Sequence, residues 1–280
     1  MKALSFERNG RASYGIMQDG SVREASDDFL LQHPDLRAVL EHGALAGLAG
    51  NISDRIFKEK DIRVLPLIPN PDKIICVGVN YRPHVEEMGR EVPEKPVLFV
   101  RFAASLVGHG ASIIKPRVSD HFDFEGELAI VIGRNARHVN RDNALEYVAG
   151  YTCFMDGSVR DWQKHTHQFT PGKNFDRSGA LGPMLLTADE VPDPGRLSLT
   201  TRVNGQVMQE GNIDELIFNI PTLVEYCSTF AELVPGDIIA TGTPSGVGAA
   251  RTPPQWLVEG DSVEVDIGPV GCLQNTVCEE

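Results

Sequence analysis

An eleven-residue run, in which acidic residues lead directly into a continuous apolar segment, constrains this chain more than any other feature. From Asp123 to Gly133 the sequence reads Asp-Phe-Glu-Gly-Glu-Leu-Ala-Ile-Val-Ile-Gly. Its apolar part, residues 128–132, is short and rich in β-branched side chains, which predicts a strand buried on both faces. Because alternate residues of a strand share a face, we expect Asp123, Glu125 and Glu127 to point the same way.

Three carboxylates on one face of a buried strand require a compensating charge. Like charges repel at this range, and burial disfavours the ionised form of each acid. A hard divalent cation such as Mg²⁺ or Ca²⁺ meets the requirement because it takes carboxylate oxygens as ligands. Asp156 follows a second apolar strand at 148–154 and could complete the site. Spacing alone leaves another interpretation open, in which the acids lie on a solvated edge strand and Asp156 or Ser158 caps a helix.

The rest of the chain favours a mixed, β-rich α+β fold. Short segments of β-branched or apolar residues predict strands at 74–79, 97–100, 124–132, 148–154, 197–203, 238–241, 262–267 and 273–277. Apolar residues at helical spacing are convincing in only two places, 158–165 and 221–233. Many strands, few helices and no regular alternation of the two argue against a doubly wound parallel sheet.

Residues 1–65 differ from the remainder in their pattern of short strand-like and helical segments. This pattern predicts a small N-terminal α/β domain ahead of a larger domain at 66–280. The dipeptide Asp19-Gly20 between two strand-like segments is a strong hairpin signal. Residues 35–42 have brief helical spacing. The three prolines between residues 66 and 71 then form a stiff connector. A chain of 280 residues suffices for one large domain with such an appendage.

Charge and cysteine usage argue against several classes of partner. Lysines and arginines number 26 against 39 aspartates and glutamates, and 26 − 39 = −13 disfavours binding to nucleic acid or an anionic membrane. No apolar run approaches the roughly 18 residues that cross a bilayer, and the first residues become polar too early for a secretory signal. The five cysteines include no Cys-x-x-Cys pair, so we expect neither zinc ribbon nor disulfides, and a cytoplasmic location.

A histidine follows the first predicted strand of the larger domain. Pro83 suits the first turn of a short helix, which would place His84 and Glu87 three residues apart on one face. A carboxylate beside an imidazole fixes its tautomer and supports it as a general base. Taken alone, this motif is more typical of an exposed His–Glu pair that adds little to stability.

Two loops add further polar groups. The glycine-rich segment 241–248 follows the strand at 238–240 and could hold a carboxylate through backbone N–H groups and threonine hydroxyls. It lacks the Gly-Lys-Ser/Thr ending of a Walker loop, and a plain turn is the alternative. Lys173 lies in a second loop, between a glycine and an aromatic residue, and supplies a cation.

Taken together, these segments resemble the fumarylacetoacetate hydrolase family from about residue 73 to residue 277. The resemblance is specific because many short motifs occur in one order. They are the run from Lys73 to Tyr81 with His84, Asp123-Phe124-Glu125-Gly126-Glu127, Gly150-Tyr151-Thr152 with Asp156, Arg160-Asp161 with Gln163, Lys173-Asn174-Phe175 with Gly182-Pro183, Val203-Asn204-Gly205, Pro235-Gly236-Asp237, and Thr241-Gly242-Thr243-Pro244 with Gly246-Val247-Gly248.

The resemblance implies a mixed β-sandwich roll in which 66–280 is the catalytic domain, a homodimer, and Mg²⁺ as cofactor with Mn²⁺ or Ca²⁺ as alternatives. By the same matching, the metal ligands are Glu125, Glu127 and Asp156, the catalytic residues are His84, Glu87 and Lys173, and the substrate-binding residues are Gln163, Arg160, Thr243, Tyr81 and Arg101. Two positions depart from the family pattern. Arg101 stands where a lysine is common and could change which substrate tail is accepted. Pro83 replaces a commoner acidic residue and could stiffen the lid over the site.

The implied activity is Mg²⁺-dependent hydrolysis of a carbon–carbon bond in a β-diketo acid resembling an acylpyruvate, a small-molecule keto acid from the catabolism of aromatic compounds or sugar acids. His84, oriented by Glu87, would remove a proton from water, and the cation with Lys173 would stabilise the leaving enolate. The same apparatus suits an oxaloacetate decarboxylase, or an isomerase acting on a keto–enol pair or a 2-hydroxy-diene-dioate. A non-catalytic metabolite-binding protein is the alternative from another class, and the intact base beside the metal ligands counts against it.

Overall fold

The computed structural model describes all 280 residues of the chain. The strands are β1 Lys2–Arg8, β2 Arg11–Gln18, β3 Ser21–Ala25, β4 Ile52–Lys58, β5 Arg63–Val64, β6 Ile74–Gly78, β7 Val97–Val100, β8 Leu106–Val107, β9 Ser112–Lys115, β10 Phe122–Asp123, β11 Gly126–Ile132, β12 Val148–Met155, β13 Ser158–Val159, β14 Gly179–Thr187, β15 Ser198–Val203, β16 Gln206–Asn212, β17 Ile238–Ala240, β18 Ser262–Asp266 and β19 Cys272–Glu279. The α-helices are α1 Asp27–Gln32, α2 Leu36–Glu41, α3 Arg82–Glu87, α4 Arg160–Gln163, α5 Thr170–Lys173 and α6 Ile220–Phe230. None of the helices combines the length and the apolar character needed to cross a bilayer.

The β-rich α+β class predicted from the sequence is confirmed, and the strands form two main sheets. The main path of the twelve-stranded sheet runs β4-β3-β2-β1-β14-β12-β11-β17-β6-β7, with β5 beside β1 and β8 beside β14. The second sheet has five strands in the order β16-β15-β18-β19-β9, and β10 pairs with β13 as a separate ribbon. β17 runs parallel to β6 and antiparallel to β11, so the large sheet is mixed.

Strand β11 lies inside the large sheet and is buried along its whole length, as its apolar sequence predicts. Leu128 and Ile130 belong to the larger core cluster, which lies between the two main sheets. Ala129 and Val131 belong to a second cluster that also contains buried residues of α1 and α2. Because successive side chains of a strand point to opposite faces, β11 contributes to both cores. Each fully buried leucine or isoleucine side chain stabilises the fold by about 1.5–3 kcal/mol.

The first 65 residues extend the large sheet. Strand β1 pairs antiparallel with β14, and Lys2 lies opposite Leu186. The predicted hairpin is present, with Asp19 and Gly20 both at positive φ (50° and 72°) between β2 and β3. The predicted helix at 35–42 is α2, whose N-cap Asp35 accepts a hydrogen bond from the N–H of Ala38 at 2.7 Å. The domain boundary at residue 65 stays a prediction, since the sheet is continuous across it.

Two predicted elements differ from the structure for one shared reason. The strand expected over 124–132 begins only at Gly126, because Phe122 and Asp123 form β10 and pair with β13 instead. The helix expected over 158–165 shortens to α4, because Ser158 and Val159 are used in that same ribbon. The helix expected over 221–233 is α6, within a few residues of the predicted bounds.

Candidate metal centre and active site

Three buried carboxylates meet where β11 begins and β12 ends. Glu125 lies in the bend between β10 and β11, Glu127 is the second residue of β11, and Asp156 directly follows β12. The backbone N–H of Asp156 donates to the carbonyl oxygen of Glu125 at 2.8 Å, which holds the two chain segments side by side. One carboxylate oxygen from each residue lies within 4.8 Å of the others. The structure therefore brings the three predicted ligand residues together.

Asp123 lies outside this cluster, although it and Glu125 both accept hydrogen bonds from Arg160. The single strand predicted from Asp123 through Glu127 is not formed, because β10 ends at Asp123 and β11 begins only at Gly126. The Asp123 carboxylate accepts hydrogen bonds from Arg160 Nε at 2.8 Å and from the backbone N–H groups of Gly248 at 2.8 Å and Ala249 at 3.0 Å. Asp123 thus anchors the glycine-rich loop.

Lys173 lies at the end of α5 and bridges two of the three acids. Its Nζ atom donates to Glu125 Oε2 at 2.5 Å, to Asp156 Oδ2 at 2.6 Å and to Ser158 Oγ at 2.6 Å. An ammonium group has three protons, so these bonds use all of its donors. Burial alone would lower the pKa of Lys173, but Asp156 and Glu125 outweigh burial and raise it. Lys173 therefore lines the cavity with a positively charged ammonium group that is held in one position by its three hydrogen bonds.

Arg101 lies behind Asp156, and the structure does not place it where a substrate could contact it. Its Nη1 atom donates to Asp156 Oδ1 at 2.5 Å and to the carbonyl oxygen of Gly157 at 3.0 Å. Its Nη2 atom donates to Ser178 Oγ at 2.8 Å, and its Nε to Ser105 Oγ at 3.0 Å. The side chain is fully buried and absent from the cavity lining. Arg101 therefore holds the Asp156 carboxylate in place and does not line the cavity, as the predicted substrate contact would require.

Arg160 connects the acidic cluster to the cavity wall. Its Nη2 atom donates to Glu125 Oε1 at 2.7 Å, and its Nη1 atom donates to Gln163 Oε1 at 3.1 Å. Burial would raise the pKa of Glu125, but the cations Arg160 and Lys173 outweigh burial and hold it well below its usual range. Both Arg160 and Gln163 line the cavity, as expected for residues near a substrate.

Glu127 is left without a cationic partner. Its Oε2 atom accepts the backbone N–H of Gly242 at 2.8 Å, and it forms no salt bridge. Burial, followed by the charges of Asp156 and Glu125, raises its pKa well above the ordinary range. With every acid ionised, as metal binding requires, the acids Asp123, Glu125, Glu127 and Asp156 and the cations Arg101, Arg160 and Lys173 give a buried charge of 3 − 4 = −1. An oxygen-only donor set with unbalanced negative charge fits a hard divalent cation.

His84 lies on α3, which has Pro83 in its first turn as predicted. Its Nδ1 atom is 2.9 Å from Glu87 Oε2, and Glu87 Oε1 accepts the backbone N–H of Gly246 at 2.8 Å. A carboxylate accepts, so Nδ1 carries the proton and Nε2 keeps its lone pair. The His84 side chain is buried and lines the same cavity as Glu125. The alternative of an exposed surface pair is therefore wrong for His84.

Thr243 lines the cavity, and its side chain is held by Gln209, a residue that the sequence did not point to. Gln209 Nε2 donates to Thr243 Oγ1 at 2.7 Å, and Thr243 Oγ1 donates to the carbonyl oxygen of Gly126 at 2.9 Å. Gln209 Oε1 also accepts the backbone N–H of Gly126 at 2.9 Å. Nothing in the sequence indicates that this glutamine, in a strand that is half exposed, has a buried side chain that holds Thr243.

Residues 79–81 show a second missed feature. Val79 lines the cavity at φ 59°, which is costly for a β-branched residue and is a form of strain found at functional sites. The side chain of Asn80 holds this turn, donating to the carbonyl oxygen of Thr241 at 2.7 Å and accepting the N–H of Phe218 at 2.8 Å. Tyr81 is fully buried and is not among the residues that line the cavity, unlike the other predicted substrate-binding residues Gln163, Arg160 and Thr243.

The cavity has a volume of about 410 Å³, within the usual range for small-molecule sites. We call the buried cluster of Glu125, Glu127, Asp156 and Lys173 the floor, and all of its members except Asp156 line the cavity. His84, Gln163, Thr243 and Val79 line the wall beside the aromatic side chains of Phe99 and Phe169. We call the exposed lining residues Arg90, Lys164, Thr166 and His167 the mouth.

Residues 73–278 match the family model described as fumarylacetoacetate (FAA) hydrolase C-terminal. The chain belongs to the fumarylacetoacetate hydrolase family. Among curated proteins, it is 41% identical over 224 residues to the human mitochondrial oxaloacetate tautomerase FAHD2A, covering 79% of this chain and 71% of that protein. It is 42% identical over 227 residues to oxaloacetate tautomerase YisK of Bacillus subtilis, covering 79% and 75% respectively.

Solved structures of the fumarylacetoacetate hydrolase family extend the similarity to the whole chain. A fumarylacetoacetate hydrolase from Exiguobacterium antarcticum is 35% identical, with a TM-score of 0.88 and complete coverage of both chains. A maleylpyruvate hydrolase from Sphingobium sp. SYK-6, solved with manganese(II) and pyruvate, is 26% identical, with a TM-score of 0.81 and coverage of 100% and 99%. Enzymes similar to this chain thus include tautomerases and hydrolases, and the acidic cluster of this chain could hold a metal ion.

Proposed function

We propose that this protein is a metal-dependent enzyme that interconverts the keto and enol forms of oxaloacetate or a close 2-keto acid analogue. The observation that carries the proposal is the pairing, on one cavity, of a base held by a carboxylate with a cluster of metal-binding carboxylates. Keto–enol exchange needs a base beside a polarised carbonyl group and needs no activated water. Two relatives that are 41% and 42% identical carry the name oxaloacetate tautomerase, which supports this choice.

Glu125, Glu127 and Asp156 would hold the cation, with Mg²⁺ as the proposed ion and Mn²⁺ or Ca²⁺ as alternatives. When bound there, a divalent cation withdraws electron density from the 2-keto group and acidifies the neighbouring CH₂. Lys173 and Arg101 hold the carboxylates of Glu125 and Asp156 in place through the contacts described above. Their contribution is to prepare the ligand set before substrate arrives.

His84 performs the proton transfer in this proposal. Its Nε2 atom takes a proton from C3 of the substrate, and the electron pair of the broken C–H bond forms the C2–C3 double bond. The imidazolium of His84 then gives this proton to the keto oxygen, so the enol has the same atoms as the keto form and His84 returns to its starting state. Glu87 stabilises the imidazolium that His84 becomes, since it already accepts a hydrogen bond from Nδ1 at 2.9 Å.

Polar wall residues would orient the substrate. The Gln163 amide accepts from Arg160 through its oxygen, which leaves its NH₂ group available to donate to a substrate oxygen. Thr243 is fixed by Gln209 and Gly126, so its hydroxyl oxygen keeps one position on the wall. Gln163 ends α4 and Thr243 lies in the glycine-rich loop, and the hydrogen bonds that hold both side chains favour a single bound orientation.

Hydrolysis of a carbon–carbon bond in an acylpyruvate-like β-diketo acid is the second candidate. The cavity of about 410 Å³ is larger than a four-carbon acid fills, and so has room for an acyl tail. Solved relatives named as hydrolases, at 26% and 35% identity, favour it as well. In this reaction His84 would remove a proton from water, which attacks the distal carbonyl carbon, while the enolate of the 2-keto acid leaves.

One panel of assays separates the candidates. The purified protein with Mg²⁺ is given oxaloacetate and several acylpyruvates, and enol loss, CO₂ release and acyl cleavage are each measured. We expect fast enol–keto exchange of oxaloacetate that disappears with His84→Gln. Acyl cleavage without exchange would favour the hydrolase, CO₂ release the decarboxylase, and ligand binding without any turnover the non-catalytic alternative.

We also propose a homodimer and a cytoplasmic location, both from the sequence. Size-exclusion chromatography with light scattering tests the dimer directly. For location, the named relatives differ among themselves, since the human one is mitochondrial and another comes from Bacillus subtilis. A role in the catabolism of aromatic compounds or sugar acids accompanies the hydrolase candidate.

A further inference from the structure

Two cations at the mouth of the cavity lack acidic partners. Arg90 and Lys164 are exposed, line the cavity, and form neither a salt bridge nor a side-chain hydrogen bond within the chain. Exposed arginines without a salt bridge also occur elsewhere on the surface, at Arg8, Arg11, Arg82 and Arg134. What distinguishes Arg90 and Lys164 is that both line the same cavity as Glu125 and Glu127. Two cations at the mouth of this cavity therefore point to an anionic group that arrives with the ligand.

An aromatic wall connects Arg90 to the floor. Lys173 Nζ lies 5.0 Å from the ring centroid of Phe99, and the Phe99 and Phe169 rings meet edge to face at 5.7 Å. Arg90 Cζ lies over the Phe169 ring, 5.9 Å from its centroid. A guanidinium is attracted to the face of an aromatic ring, so Phe169 keeps Arg90 over the cavity although the side chain is exposed. Cations thus mark both ends of one continuous wall.

We propose that Arg90, assisted by Lys164, binds the distal carboxylate of a dicarboxylic 2-keto acid and gives the enzyme its preference for dicarboxylates. The inference deepens the proposed function, on which it rests for the orientation of the substrate. The acids on the cavity lining, Glu125 and Glu127, lie at the floor and repel an anion unless a cation is bound there. A second carboxylate on the substrate therefore has its favourable position at the opposite end, near the mouth.

The chemistry of the two side chains fits this role. Arginine presents a planar fork that matches a carboxylate in two parallel hydrogen bonds, and lysine adds a flexible point charge. Neither group must give up an existing ion pair to bind substrate. A monocarboxylic acid with a methyl group in the same position would leave both cations unused, which lowers its affinity relative to the dicarboxylate.

The test compares a dicarboxylate with its methyl analogue. Malate and 2-hydroxybutanoate differ only by a terminal carboxylate against a methyl group, and both are chemically stable. Each is titrated by calorimetry, in the presence of Mg²⁺, into the wild type, Arg90→Gln, Lys164→Gln and Phe169→Leu. Arg82→Gln is the matched control, because this substitution makes the same change of net charge as Arg90→Gln. Arg82 is exposed on α3 and lies outside the cavity lining.

We expect Arg90→Gln to weaken malate binding about tenfold while 2-hydroxybutanoate changes less than about twofold. Lys164→Gln and Phe169→Leu should produce smaller losses with the same selectivity, and Arg82→Gln should change neither. The proposal would be overturned if Arg90→Gln weakened the binding of both ligands equally, or of neither. It would also be overturned if Arg82→Gln weakened malate binding as much as Arg90→Gln does. The KM of oxaloacetate should rise with little change in kcat.

Failure of this inference can be told from failure of the proposed function. If the wild type prefers malate through Arg90 but exchanges no oxaloacetate, the carboxylate site stands and the proposed reaction falls. If oxaloacetate is exchanged and Arg90→Gln leaves the malate preference intact, the reaction stands and the carboxylate site falls.

Discussion

The floor and the mouth of the cavity differ in how their charges are held. Glu125, Glu127, Asp156 and Lys173 at the floor are at least nine-tenths buried, and each bonds to another element of the fold. Arg90 and Lys164 at the mouth are exposed and without acidic partners. Charge interactions are stronger and desolvation is costlier away from water. The floor charges therefore maintain the fold as well as the chemistry, whereas the mouth can change its charge at little cost in stability.

The largest effect should follow from Asp156→Asn. Asp156 is fully buried between Arg101 and Lys173, and the amide would leave Arg101 without a charged partner and Lys173 with Glu125 as its only one. Breaking a buried ion pair from one side costs about 3–5 kcal/mol. Urea unfolding should show this loss of stability, and calorimetry should show loss of Mg²⁺ binding.

Asp120→Asn is the matched control for this comparison. The Asp120 side chain is 94% exposed and lies 3.3 Å from Lys115, so its loss should change stability by no more than about 0.5 kcal/mol. Similar unfolding curves for Asp156→Asn and the wild type would show that the floor is no more dependent on its charges than the surface.

His84→Gln should separate chemistry from stability within the wall. Removing the base should lower kcat for enol–keto exchange by about 10²–10⁴-fold, because proton transfer loses its acceptor. Mg²⁺ affinity should be unchanged, since no metal ligand is altered. His121→Gln, at a histidine that is 51% exposed, should leave kcat near the wild-type value. Full turnover in His84→Gln would refute the assignment of the base.

The floor could be found from sequence because its signals are local. The apolar run predicts β11, the alternation of side chains places Glu125 and Glu127 near each other, and Asp156 follows a recognisable strand. The separate place of Asp123 could not be predicted, because it depends on the pairing of β10 with β13, which is distant in sequence. Strand pairing over such distances leaves no periodic signal.

The strands that sequence missed have similar causes. Strand β14 pairs with both β1 and β12, yet the Gly182-Pro183 pair within it interrupts the pattern expected of a strand. The supporting roles of Arg101 and Gln209 also escaped prediction, because each depends on contacts made only after the sheets have formed. Long-range packing, and not local propensity, decides these positions.

Glu87→Gln should have a smaller effect than His84→Gln. The substituted amide can still accept the N–H of Gly246, but its NH₂ group would face His84 Nδ1 and favour the tautomer that carries the proton on Nε2. We expect kcat to fall about 10- to 100-fold. Glu86→Gln, on the same helix and exposed, should be neutral. Equal activity of the two variants would show that Glu87 does not orient the base.

The smallest effect concerns how pH acts on the floor without metal. The pKa of Glu127 is raised above its ordinary value of 4.5 by burial and by its acidic neighbours, so the folded protein holds a proton that the unfolded chain releases. Stability from this group is fully present below pH 4.5 and is lost as pH rises through the raised pKa, by at most about 1.4 kcal/mol per pH unit. Glu125 has a lowered pKa, so its contribution is lost instead on the acid side of that range. Calorimetric unfolding of EDTA-treated protein should therefore show a decline in stability as pH rises above about 4.5, and this decline should be absent in Glu127→Gln.

Because a bound cation requires the ionised acid, Mg²⁺ binding should release protons, which titrations in buffers of different ionisation enthalpy measure. Binding without proton release would mean that Glu127 is already ionised in the metal-free protein.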